Sequence, residues 1–187
     1  MKKQVLFIQG AGEGAYEEDN ILAASLQDAL GPEYQVLYPP MLNEKDPEDK
    51  AWIAQISKEL TSVDGTVILI GHSAGGAVLL KYLLQESVEQ PVAGVFLIAI
   101  PFWGPEDEED STYTLREGFA SQLPKGVPIF LYHSRDDEWV PFADLAIYAE
   151  RIPQATIREF DGRGHQFNND LSEVASDIAN LQGGTHV

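Results

Sequence analysis

Two uninterrupted apolar runs limit what this chain can fold into. Val67 to Ile70 reads VILI and Val95 to Ile100 reads VFLIAI, apolar at every position. A strand with one wet face alternates apolar and polar residues, whereas a continuous run of strand length is buried on both faces. Burial on both faces requires helices above and below, and therefore a mostly parallel sheet. The rest of the sequence supplies these parts. Further strand candidates are Gln4 to Gln9, Tyr34 to Tyr38, Val127 to His133 and Ala155 to Phe160, and the two apolar runs extend to Thr66–Ile70 and Val92–Ile100. Helical patterns lie between them at Asn20 to Leu30, Pro47 to Leu60, Gly75 to Gln85, Phe142 to Arg151 and Leu171 to Leu181. This alternation predicts a three-layer α/β/α fold around a mostly parallel sheet of about six strands, with residues 1–187 forming one domain. The run at Ala155 alternates, with Thr156 and Arg158 polar, and suits an edge strand.

One segment breaks the rhythm. Pro101 to Gly126 carries the acidic run EDEED at Glu106 to Asp110 and a short helical pattern near Tyr113 to Leu123. It reads either as a cover over the C-terminal edge of the sheet or as a solvated loop. The net charge of −18, from 12 basic and 30 acidic residues, repels phosphate backbones and anionic headgroups. Nucleic-acid and membrane partners are therefore not expected, and protein partners stay open. No cysteine occurs, so disulfides and thiolate chemistry are excluded. No metal-ligand spacing is seen either. The opening MKKQVLFIQG suits a first strand better than a secretion signal, because its apolar stretch is only Val5 to Ile8. A cytoplasmic protein is expected.

The chemistry-bearing motif is GHSAG, Gly71 to Gly75, placed between the strand TVILI and the helical run GGAVLLKYLL. A serine on a tight strand-to-helix turn projects its hydroxyl above the sheet, and small residues two before and two after let the backbones approach. Ser73 is the candidate nucleophile. The unpaired N–H of Ala74, at the start of the helix, is a candidate oxyanion donor. A serine hydroxyl needs a base. Of four histidines, His72 adjoins Ser73, so its side chain is expected to point elsewhere and it reads as structural, His186 sits in the tail, and His133 ends a strand. His165, in the bendable loop DGRGHQF, is the preferred base. The preferred acid is Asp137 in LYHSRDDEWVPF, over its neighbour Asp136 and over Glu106 or Asp107 after the preceding strand. The order Ser73, Asp137, His165 then matches one of the known triad orders.

The loop after the first strand, QGAGEGAY, supports two readings. Gly10, Gly12 and Ala15 fit a dinucleotide fingerprint, but the second strand ends in YQVLYPP without the acidic residue that would hold a ribose. In the other reading the glycines turn the backbone so that the N–H of Ala11 or Gly12 joins that of Ala74. Aromatics follow several strand ends: Tyr16, Phe102, Trp103, Trp139, Phe142 and Phe167. Among them Phe102, Trp103, Trp139 and Phe167 are the substrate-pocket candidates.

With these residues in hand, the chain resembles the α/β-hydrolase superfamily, and within it the small single-domain serine hydrolases typified by retinoblastoma-binding protein nine. The resemblance rests on the Gly-rich loop after the first strand, GHSAG, the PFW stretch at Pro101 to Trp103, the DDEWVP loop and the GHQF loop. Gln9 stands where many relatives carry histidine. The resemblance implies a minimal fold without a large cap and a cofactor-free triad of Ser73, Asp137 and His165. It also implies a small-molecule ester, thioester or amide as substrate. The competing expectations are an interaction module on a hydrolase scaffold and a dinucleotide-binding protein.

Overall fold

The computed structural model describes residues 2–102, 115 and 118–181. Among them six strands alternate with five α-helices: β1 (Lys3–Ile8), α1 (Ala15–Leu30), β2 (Tyr34–Leu37), α2 (Asp49–Thr61), β3 (Val67–His72), α3 (Ser73–Gln85), β4 (Val92–Ile98), β5 (Ile129–Ser134), α4 (Ala143–Arg151), β6 (Thr156–Phe160) and α5 (Ser172–Asn180). The strands form one sheet in the order β2-β1-β3-β4-β5-β6. Every neighbouring pair is parallel. The two-residue period of a strand divides the core in two. Leu6 and Ile8, Val67 and Leu69, and Val95 and Leu97 face one way and pack with Trp52 and Ile56 of α2, Val78 and Leu79 of α3, and Leu145 and Tyr148 of α4. Val5, Phe7, Ile68, Ile70, Phe96 and Ile98 face the other way, against Leu22 and Leu26 of α1 and Val174 and Ile178 of α5. This is the expected three-layer arrangement, with the sheet parallel throughout. β6 lies at an edge, as its alternating sequence suggests, and none of its residues is fully buried.

Most boundaries shift by one or two residues from the sequence expectation, and two of the differences have a visible cause. Helix α1 begins at Ala15, five residues before Asn20. The cause is remote: the carboxylate of Glu44 accepts the N–H groups of Gly14 and Tyr16 at 3.2 and 2.7 Å. It places negative charge on the helix N-terminus and satisfies donors that no local side chain caps. Strand β4 stops at Ile98 because Ala99 adopts φ 50°, turning the chain out of the sheet. Of the helical pattern near Tyr113 to Leu123, residues 118–123 hold a single 3₁₀ turn at Phe119–Gln122, and Tyr113, Thr114, Arg116 and Glu117 lie outside the described residues.

The strand order fixes where a site can form. From β1 the chain moves outward to β2, then returns across β1 to place β3 on its other side. The loops leaving the C-terminal ends of β1 and β3 therefore diverge toward opposite faces, and a crevice opens between them. The first holds Gly10 to Gly14 and the second holds Ser73.

Close approach at this point depends on glycines. A Cβ at Gly75 would overlap the carbonyl oxygen of Gln9, one at Gly71 would overlap Gly76, and one at Gly76 would meet both the Ile100 side chain and the Gly71 carbonyl. Helix α3 can rest on the ends of β1 and β3 only because these positions lack side chains. We expect Gly75→Ala to cost about 1–3 kcal/mol, because the overlap is with backbone that cannot rotate away. Thermal unfolding would check it, and an unchanged midpoint would disprove the close contact.

Candidate active site

Ser73 stands where β3 becomes α3, with φ 51°. A left-handed conformation is unfavourable for a residue with a Cβ and persists only where its surroundings enforce it. Here the glycine-mediated crossing enforces it and turns the serine toward the crevice. A cavity of about 620 Å³ opens there, lined by Ser73, His165, His72, Ala11, Trp139 and Ile21 among others.

Asp137 and His165 meet in this wall. His165 Nδ1 lies 3.0 and 2.8 Å from the two carboxylate oxygens of Asp137. The Asp137 side chain is 0% exposed and that of His165 10%, so the imidazole alone reaches the cavity. A carboxylate at Nδ1 requires the proton there, which leaves Nε2 with its lone pair in the neutral ring. Among the described residues no group bonds Nε2. Ser73 and His165 share the cavity without a direct hydrogen bond between them. Such contacts commonly tighten only when substrate is bound.

The surroundings of Asp137 explain why it, rather than Asp136, meets the histidine. Asp137 Oδ1 accepts the N–H groups of Trp139 and Val140 at 2.9 and 2.8 Å, which folds the DDEWVP loop around the carboxylate. Buried His133 brings Nε2 to 3.2 Å from Oδ2, sharing its proton with the Val140 carbonyl at 3.1 Å. Asp136 points away. It accepts from the Ser134 hydroxyl at 2.5 Å and from the N–H groups of Arg163 and Gly164, both at 3.2 Å, so it ties down the loop that carries His165. The preceding alternatives Glu106 and Asp107, and His186, lie outside the described residues.

The loop after β1 is organised by carboxylates. Gly10 N–H donates to Asp19 at 2.7 Å and Gly12 N–H to the Glu44 carbonyl at 2.7 Å. Of the two residues considered as oxyanion donors, Gly12 is thus already bonded. Ala11 N–H has no acceptor among the described residues. Ala74 lies in the first turn of α3, whose N-terminus no side chain caps. The same bonds argue against a dinucleotide. A pyrophosphate would need the N–H groups at the start of α1, and the Glu44 carboxylate already holds them.

The aromatic expectations divide. Trp139 lines the cavity and is 77% exposed, and Ile21, which the sequence did not single out, stands with it at 53%. Phe102 and Phe167 do not line it. Phe102 packs edge-on to Tyr148 and lies under the Arg151 guanidinium. Phe167 is 1% exposed and edge-on to Phe160. It anchors three successive left-handed residues, Phe167 to Asn169, just after His165. Trp103 lies outside the described residues. Tyr16 stacks on Tyr38 and Phe142 packs against His133.

A family model for serine hydrolases matches residues 23–171. The chain belongs to the serine hydrolase family. No curated protein sequence matches it. Solved structures share the fold at low identity. The ydeN gene product of B. subtilis has a TM-score of 0.72 at 19% identity, covering 97% of this chain and 100% of that one. SOBER1 of Arabidopsis thaliana has a TM-score of 0.70 at 16% identity, covering 97% and 100%. CarC, a serine hydrolase involved in carbazole degradation, has 0.75 at 16%, covering 97% and 91%. The protein is thus a serine hydrolase, and it shares the fold of these hydrolase structures. Among the described residues no helix is long and apolar enough to cross a membrane.

Asp137 gives this family member a measurable pH signature. Burial pushes its carboxyl up, but donors from His133, His165, Val140 and Trp139 outweigh burial and hold it well below the usual carboxylate range. A depressed carboxylate stabilises the fold above its unfolded value of about 3.9 and loses that contribution as pH falls. We expect Asp137→Asn to cost about 2–4 kcal/mol near neutral pH, with the difference from wild type shrinking below about pH 4. Denaturant unfolding across pH would measure it.

Proposed function

We propose that the protein cleaves small carboxylic esters, thioesters or amides through an acyl-enzyme on Ser73, with His165 as base and Asp137 as its acid partner. The observation that carries this reading is the Asp137–His165 pair at 2.8 Å, set in the wall of the cavity where Ser73 stands. Ser73 Oγ attacks the substrate carbonyl carbon as its proton passes to His165 Nε2. Asp137 holds the ring in that tautomer and stabilises the imidazolium that forms. The N–H groups of Ala11 and Ala74 receive the oxyanion. The tetrahedral intermediate collapses, and the leaving group departs with the proton from His165. A water molecule deprotonated by the same nitrogen then attacks the acyl-enzyme. Its collapse releases the acid and returns the proton to Ser73.

The cavity also favours a class of substrate. Glu18 and Glu138 stand in its wall, with Glu13 beside them paired to Lys45 at 2.8 Å, and none of the described lining residues is lysine or arginine. Trp139 and Ile21 offer exposed apolar surface beside them. Uncharged or cationic substrates with an apolar group suit this wall, and anionic ones are repelled.

Two outcomes are expected. A fluorophosphonate probe labels Ser73, and Ser73→Ala abolishes labelling and lowers ester turnover by at least about 10⁴-fold. Folded wild-type protein without a Ser73 adduct would overturn the reading. For the substrate class, a p-nitrophenyl ester with a free carboxylate on its acyl chain should show kcat/KM about ten-fold or more below its uncharged analogue. That gap should narrow as salt is raised, since screening weakens repulsion. Equal rates at low salt would refute the electrostatic selection.

A further inference from the structure

Beside the proposed triad lies a second histidine–carboxylate pair that the reaction scheme does not use. His72 Nδ1 lies 2.8 Å from Asp19 Oδ2, and both side chains are 1% exposed. His72 Nε2 lies 3.1 Å from the carbonyl oxygen of His165. Each ring nitrogen therefore faces an acceptor that carries no proton. A neutral imidazole donates from one nitrogen only and would set a lone pair against the other acceptor. Only the imidazolium satisfies both contacts. Read from the sequence, His72 was expected to point away from the site. The side chain is buried, as a structural role requires, yet it lies against the site, with its ring centroid 4.8 Å from that of His165.

Asp19 completes the connection. Its Oδ2 also accepts Gly10 N–H at 2.7 Å, and its Oδ1 accepts Gln166 Nε2 at 3.1 Å. The pair thus contacts all three segments that converge on the cavity: the loop after β1, next to Ala11; the turn of Ser73; and the loop of His165. We propose that Asp19 and His72 are positioning residues, an internal ion pair whose cationic imidazolium and carboxylate together fix the Ala11 N–H and the His165 ring relative to Ser73. The inference rests on the triad reading for its catalytic consequence. The charge state of His72 is independent of that reading.

The electrostatics support the pair. Burial pushes the His72 imidazolium toward its neutral form, yet the Asp19 charge and hydrogen bond, the His165 carbonyl and the Asp137 charge raise it overall. Burial likewise pushes Asp19 up, and His72, Gly10 and Gln166 together lower it. The charged or titratable groups facing His72 are Asp19 from α1, Asp137 from the loop after β5 and His165 from the loop after β6. Asp19 precedes the segment matched by the family model, which starts at residue 23.

Two measurements test the proposal. In ¹⁵N-histidine-labelled wild-type protein at about pH 8, well above the ordinary histidine value, both His72 ring nitrogens should show imidazolium shifts with slowly exchanging ring protons. A single protonated nitrogen at that pH would overturn the proposal without any appeal to activity. Asp19→Asn keeps the shape but removes the charge. It should lose the imidazolium signature and slow fluorophosphonate labelling of Ser73 about 100-fold. On p-nitrophenyl acetate it should lower kcat by a similar factor while KM stays within about three-fold. His72→Gln, which cannot donate in both directions, should do the same. Wild-type kcat in either folded variant would overturn the positioning role. Absence of labelling in wild type would instead sink the triad reading and leave the His72 measurement standing.

Discussion

The whole site depends on one steric condition: helix α3 must start within backbone contact of β1 and β3. Gly71, Gly75 and Gly76 meet it, since a methyl group at any of them would overlap neighbouring atoms. At this tight crossing Ser73 takes a left-handed conformation, φ 51°. Strain of this kind holds only where packing on both sides outweighs it. The buried runs of β3 and β4, with the apolar face of α3 beneath them, supply that packing. The most hydrophobic part of the molecule is thus what holds its most polar part in place.

Around that crossing the polar groups follow a common rule. Each buried histidine near the cavity is tied to a carboxylate: His165 and His133 to Asp137, and His72 to Asp19. Each carboxylate is also held by backbone N–H groups, those of Trp139 and Val140 for Asp137 and that of Gly10 for Asp19. Burying a charge is costly unless it is paired and hydrogen-bonded, so these clusters are stable only as complete sets. In a chain with a net charge of −18 the carboxylates are abundant and the cations few. Asp137 and Asp19 are drawn inward where an imidazole meets each, as Asp49 is where Lys81 meets it at 2.7 Å.

How much of this could be read from residues alone follows the range of the forces involved. Strand placement was legible because burial on both faces leaves a local mark, and so was the Ser73 turn, since its glycines are adjacent to it. That Asp137 rather than Asp136 meets His165 also has a local reason, for the chain two and three residues on folds back to donate to it. The start of α1 was missed because its cap, Glu44, is about 30 residues away. Phe102 and Phe167 were expected at the cavity because they follow strand ends, yet position in sequence says nothing about the side to which a ring turns. Both turn inward to pack, and the apolar surface at the cavity comes from Trp139 and Ile21 instead.

His72 shows the limit most clearly. Adjacency to Ser73 suggested a side chain directed away from the chemistry, as neighbouring residues on an extended strand would be. The elbow cancels that alternation, because Ser73 leaves the strand at once. His72, still the last residue of β3, then keeps its ring under the loops that meet above the crevice. Its two partners come from residues 19 and 165, one from each end of the chain. No window of sequence contains both, and neither contact has a periodicity to betray it. The doubly bonded ring becomes visible only once the sheet order has brought α1 and the loop after β6 to the same side of β3.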